Sequence, residues 1–325
     1  MRQWLNSRIT GSSGKIFWLD TTLRSYAQFV MQSTPMSGII CIVIIGITNW
    51  WLLLATMISC INANAVALHL GAPVSVVQQG LLGWNPVLLT GILEADRRPR
   101  WHALPMLVFV STLCSLIAVS FRRYLPARLS ILQGSLPCTL TQMIWECICW
   151  IPVLASGELV QPLPAAGAHP VHPAGLQGLF DATATSVCAL TFSGVAYPYV
   201  WFVTVGLALG EPRICGMIWA GALAGASVDM LFGAPISHRT SGVSGLMGMF
   251  AFFTTHEVSR PSLLGTSTVS GIIVSTCSAL AAAFLSQPFF GLRGCFPYLL
   301  VAIVANGLDL VAAYREHMAG KEKTT

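Results

Sequence analysis

The sequence predicts an all-α, multi-pass membrane protein built from two homologous halves, and three observations carry that expectation. The 325 residues are 54% hydrophobic and only 9% charged. A soluble domain carries about 25% charged residues, so this chain lacks the polar groups to solvate an ordinary globular surface. Apolar runs occupy 36–60, 103–121, 138–155, 196–221 and 266–289, and about 20 such residues cross a bilayer core as a helix. Finally, the frame G-A-P-[V/I]-S-x4-G-x-x-G is written twice. Gly71, Ala72, Pro73, Ser75, Gly80 and Gly83 return as Gly233, Ala234, Pro235, Ser237, Gly242 and Gly245.

Residues 1–19 read as a polar N-terminal tail, with Arg2, Arg8 and Lys15 and no apolar core of a cleavable signal. The first transmembrane repeat is expected over 20–157. Its first long span, TPMSGIICIVIIGITNW, opens at Pro35, and YPYVWFVTVGLALGEP opens at Pro198 in the second half. Late in the halves, GSLPCTL (134–140) answers GLRGCFP (291–297). Similarity at a fixed spacing marks homologous modules, here of about 150 residues. Residues 158–179, rich in Pro, Gly and Ala, form the inter-repeat linker. His169 and His172 lie there as solvated loop residues. The second repeat follows over 180–313, and 314–325 is a charged C-terminal tail.

The net charge of +5 is concentrated in DRRPR (96–100), FRRY (121–124) and REHMAGKEK (315–323). Basic loops of this kind set membrane topology and meet anionic headgroups. Membrane lipid is therefore the partner that charge implies, and no nucleic acid is. Ten cysteines scatter through apolar segments without a zinc spacing and read as buried thiols, so no metal or cofactor is expected. Acids at membrane depth are functional candidates by default. Asp181 and Asp309 fall near segment ends, whereas Glu146 and Asp229 stay open as marks of ion or proton coupling.

Gly80, Gly83, Pro86 and Gly91 interrupt apolar sequence. Small residues let helices pack closely; irregular backbone at this depth also lines protein or water-filled cavities. Both readings stand. Duplicated membrane proteins commonly bind a solute between their halves.

Four stretches carry a resemblance to the urea transporter family. LRSYAQFVMQSTPMSG (23–38) is similar to that family's L-R-G-x-x-Q-V-x-x-x-N-N-P-L-S-G, GLLGWNPVLLTG (80–91) to G-L-x-G-[YF]-N-x-x-L-x-G, and SLPCTL (135–140) to L-P-x-x-T-x-P-F. The second half repeats the layout more loosely in TFSGVAYPY (191–199), GVSGLMGMF (242–250) and GLRGCFPYL (291–299). The resemblance implies two inverted repeats, each of about five transmembrane helices plus a re-entrant half-helix, around a central pore. It also implies a homotrimer with one pore per protomer, in the plasma or inner membrane.

Carried over position by position, the resemblance places Gln28 as an edge-binding amide at one mouth, within apolar surroundings from Phe29 and Met31. Trp84 takes the aromatic place, Leu88 follows one turn on, and Thr139 is the central hydroxyl. Gln28 also reads as a polar cap before Pro35, and Trp84 as an interfacial anchor. The second half departs from the pattern. Thr191, with Phe192 beside it, stands where Gln28 would recur; Leu246 replaces an aromatic, with Phe250 one turn on; Phe296 is nearest to the missing threonine, and Arg293 replaces a proline.

The function implied is facilitated diffusion of urea or a similar small neutral solute through a narrow apolar slot with edge acceptors. Alternatives are a channel or ion- or proton-coupled carrier for another small polar solute (an amide, ammonia), or a pore-degenerate membrane partner. An enzyme is not expected. His256-Glu257 is followed by Arg260 instead of the second histidine of H-E-x-x-H.

Overall fold

Asn49 divides the apolar run 36–60 into two helices. The computed structural model describes residues 14–32, 34–94, 101–124, 136–145, 175–191, 199–233, 242–258, 268–286, 300, 301 and 304. Helix α1 covers Gly14–Phe29, α2 Pro35–Thr48, α3 Trp50–His69, the short α4 Val74–Gln78, α5 Trp84–Glu94, α6 Leu104–Tyr124 and α7 136–145. In the second half, α8 covers Leu176–Ala189, α9 Tyr199–Gly210, α10 Pro212–Leu231, α11 Val243–Val258 and α12 Thr268–Leu285. No strand occurs among the described residues.

The break at Asn49 has a local cause. Its backbone is extended (φ −154°, ψ 92°), and its Oδ1 accepts the Leu52 N–H at 3.0 Å, capping α3. The run 196–221 also holds two helices, parted at Glu211. Pro212 lacks an N–H and has a fixed φ, which suits the first turn of a helix and not its interior. So two of the five apolar runs each hold two shorter helices, because a cap or a proline ends what hydropathy alone would continue.

The two breaks are equivalent. Asn49 donates its N–H to Ile45 O at 2.7 Å, and Glu211 to Leu207 O at 2.9 Å. Helices α3 and α10, each 20 residues long, follow them. The duplicated frame repeats in backbone conformation too: Gly71 and Gly233 have φ of 78° and 62°, and Gly80 and Gly242 of 77° and 67°.

The described residues belong to two compact units, one drawn from Met1–Leu125, Gln133–Val171 and Cys188–Ile214, the other from Pro126–Leu132, His172–Val187 and Cys215–Thr325. In the first unit α3 packs against α1, α5 and α6, and α1 against α2. Polar bonds cross these apolar interfaces: Tyr26 to Thr56 at 2.6 Å, Thr90 to Ser59 at 2.8 Å and Asn62 to Ser111 at 2.8 Å. Between helices in lipid such bonds hold register where the hydrophobic effect is weak. Buried Trp51 donates to Glu94 at 3.1 Å and meets Trp101 edge-on at 5.4 Å.

Helix α9 joins this unit by packing on α2. Gly206 faces Ile40, whereas Gly210, one turn further on, faces Ser37 and Gln32. As one helix advances its partner recedes, so α2 and α9 run antiparallel.

In the second unit α10 and α11 cross closely. A Cβ on Gly221 would lie 2.6 Å from Met249 Cα and 2.8 Å from Gly248 O, both backbone atoms. Asp229, 2% exposed, accepts from Ser244 at 2.6 Å, and Ser244 in turn pairs with Ser286 at 3.0 Å. Around this core, Phe180 stacks on Trp219.

The outward faces are apolar: Ile47, Trp50, Phe109, Trp201, Phe202 and Leu209 are exposed. Helices α3, α6 and α10 have the length and composition to cross a membrane, and α2 and α9 are shorter apolar helices. Side chains of this kind face acyl chains more readily than water.

Candidate functional site

Helix α1 ends inside the protein, with Phe29, Val30 and Gln32 each about fully buried. Helix ends leave carbonyls without intrahelical partners, and here the turn supplies them. Met31 donates its N–H to Gln28 O at 2.9 Å, and Gln32 donates to Ala27 O at 2.8 Å. This pair of bonds normally places glycine in the left-handed position. Met31 occupies it instead, at φ 60°, a conformation that costs an L-residue about 1–2 kcal/mol. Gln32 holds the turn in place: its amide N–H reaches Leu207 O at 2.8 Å and its Oε1 accepts from Ser37.

The same helix is tied to the first Gly-x-x-Gly turn. Gln28 Nε2 donates to Gln79 O at 3.2 Å, so the amide is fixed by its nitrogen end and presents a carbonyl acceptor at its other end. Asp20 joins the anchor. It accepts from Arg24 at 2.9 Å and from Gln78 at 3.2 Å. The turn then leads into α5, which starts at half-buried Trp84 and places Leu88, 1% exposed, one turn on. Of the first-half candidates, Gln28, Phe29 and Met31 therefore lie at the end of α1, and Trp84 and Leu88 on the first turns of α5, which follows the turn bonded to Gln28. Thr139 is buried on α7.

Thr191 belongs to the first unit and lines a cleft of about 200 Å³, open space at its mouth included, with Val30, Ser37, Ile40 and Cys41. Its hydroxyl donates to Cys188 O at 2.9 Å. The second unit holds half-buried Leu246 and buried Phe250 one turn apart on α11. Phe192 and Phe296 lie outside the described residues, as do Arg293, Glu146, Asp309, His169 and His172.

Several side chains at this site escaped sequence reasoning. Gln32, Ser37 and Thr34 form a buried polar node, and Ser25 and Ser186 sit against the two glycine turns. Gln32 alone left a signal, as an amide directly after the apolar Phe29-Val30-Met31 run. The serines left none, because their partners are distant in sequence.

Helix α1 thus ends in a buried turn with the Gln28 amide fixed beside it, in a chain with three helices long and apolar enough to cross a membrane among the described residues. The family model described as urea transporter matches residues 19–309. The chain therefore belongs to the urea transporter family. It is an integral membrane protein of urea transport.

Proposed function

We propose that the protein is a passive urea channel, with Gln28 as the edge-binding group of the first-half mouth. Urea is flat and neutral, with one carbonyl acceptor and four N–H donors. A selective path needs apolar faces close enough to strip water and acceptors along the edge to replace it. Leaving one polar group unpaired in such a slot costs roughly 2–7 kcal/mol, and ions are rejected more strongly because their desolvation is costlier.

The bond from Gln28 to Gln79 O carries this reading. It holds the amide so that its carbonyl end is oriented before a solute arrives, which is what an edge acceptor requires. Phe29, Met31, Trp84 and Leu88 supply the apolar walls of this mouth, and Thr139 the hydroxyl at the centre. Thr191, Phe192, Leu246, Phe250 and Phe296 form the second-half wall, with fewer acceptors. The halves are inverted about an axis in the membrane plane, a reading supported by the antiparallel packing of repeat-equivalent α2 and α9. The working assembly is a homotrimer in the plasma or inner membrane, each protomer conducting alone and without ion coupling.

Purified protein in liposomes tests this by stopped-flow light scattering. Urea permeability well above that of empty vesicles, unaffected by a sodium or proton gradient, supports the channel. Equal permeability with and without protein removes it.

A further inference from the structure

We propose that Ser25 and Ser186 are positioning residues of the solute path, each pinning a buried helix to the Gly-x-x-Gly turn beside it. The inference rests on the channel reading above and adds what sets the register of the two mouths.

In the first unit both glycines of one turn converge on Ser25. A Cβ on Gly80 would collide with the peptide joining Arg24 and Ser25; one on Gly83 would collide with Ser25 Oγ and lie 2.6 Å from Asn64 Nδ2. The second unit repeats the construction. A Cβ on Gly242 would lie 2.9 Å from Ser186 Cα and 3.1 Å from its N, and one on Gly245 would collide with Ser186 Oγ. Both hydroxyls are turned back onto their own helix. Ser25 donates to Thr21 O at 2.8 Å, and Ser186 to Ala182 O at 2.8 Å. Each bond holds the serine rotamer, and in that rotamer the hydroxyl occupies the space a Cβ on the second glycine of the turn would need.

The side chains beyond the joint differ between the halves, whereas the seating of a serine against both glycines recurs, the first joint adding Asn64, which donates to Ser25 Oγ at 3.4 Å. Trp84 is answered by Leu246. Three residues past Ser25 stands Gln28, but three past Ser186 stands Ala189, and Thr191 lies two further on in the closing turn. What the repeats share is thus the seating of the helix. A slip of one residue moves a helix about 1.5 Å and turns it by about 100°, enough to swing Gln28 off Gln79 O. The pin decides whether the amide faces the solute. It also means that the second half presents no amide at the matching place, so the two mouths differ in how tightly they hold a solute's edge.

The test compares the urea-to-formamide permeability ratio in liposomes for wild type, Gly83→Ala, Gly245→Ala, Ser25→Ala and the exchange Ser25→Gly/Gly83→Ala. Gly83→Ala is expected to lower the ratio several-fold and the exchange to restore most of it. Gly245→Ala should change it less, since no amide depends on that joint. A purely structural role would lower yield and thermal stability while leaving the ratio of the surviving protein unchanged, and that result overturns the proposal. If Gly83→Ala fails to fold, Ser25→Ala, which only removes the hydroxyl, takes its place with the same criterion. A second readout is independent of flux: a short thiol cross-linker applied to Gln28→Cys/Gln79→Cys, mapped by mass spectrometry. Slower cross-linking when Gly83→Ala is added supports the pin, and an unchanged rate overturns it. If wild-type vesicles pass no urea, the channel reading fails, and the cross-link alone then judges the joint.

Discussion

The side-chain amide of Gln32 donates to the backbone carbonyl of Leu207 across 2.8 Å and 175 residues of sequence. It ties the end of α1 to α9, and Ser37 completes the clasp from α2. Gln32→Leu removes the donor and the acceptor together, so the Ser37 hydroxyl loses its buried acceptor and keeps only Thr34 as a partner. A buried polar group left without its partner costs about 1–3 kcal/mol. A lower melting temperature in detergent is expected; an unchanged one would show that the clasp carries no weight.

Met31 allows strain and packing to be separated. Met31→Ala keeps a Cβ at φ 60° and loses a buried side chain, a change that costs about 2–5 kcal/mol in a packed core. Met31→Gly loses those atoms and the Cβ as well, but regains about 1 kcal/mol by relieving the left-handed turn. The glycine variant should therefore melt above the alanine variant. The reverse order would mean that the turn relaxes in solution.

Gln28→Ala should slow urea flux about five- to tenfold, the equivalent of one hydrogen bond of about 1–1.5 kcal/mol at the limiting barrier. Stopped-flow rates at matched protein density give the number, and a wild-type rate would exclude Gln28 from the path.

Asn49 separates two helices by capping one of them. Asn49→Ala should cost about 1 kcal/mol of stability, and Asn49→Asp or Asn49→Ser should recover most of it. Thermal melts of the three variants check this; equal loss in all three would argue against the cap.

Gly221→Ala places a methyl against the backbone of Met249 and Gly248 rather than against a side chain that can swing away. Overpacking of this kind costs about 1–3 kcal/mol. Gly216→Ala, on the same helix with open space around it, is the control and should be near neutral by the same melt.

Much of the backbone plan was legible in the sequence. The G-A-P frame announced a duplication, which the matched helices α3 and α10 carry through residue for residue. The breaks at Asn49 and Glu211 were harder to see, because apolar periodicity runs straight through them. The signals were present all the same, in an asparagine before Trp50 and a proline after Glu211. Met31 was not legible as a left-handed residue, since nothing in a methionine suggests it. Its conformation is imposed by Gln32, whose partners come from two other helices. The roles of Ser25 and Ser186 were hidden for the same reason. A serine that seats in a glycine notch looks like any other serine until the notch is folded against it.

The antiparallel pairing of α2 with α9 also has a consequence for biogenesis. The ribosome finishes α2 long before it reaches α9, and at about 5–20 residues per second the interval is on the order of ten to thirty seconds. Throughout that time Ile40 and Ser37 lack the glycine face they will pack against, and the amide of Gln32 lacks the Leu207 carbonyl. That corner of the first unit is therefore completed only by a helix encoded in the second half.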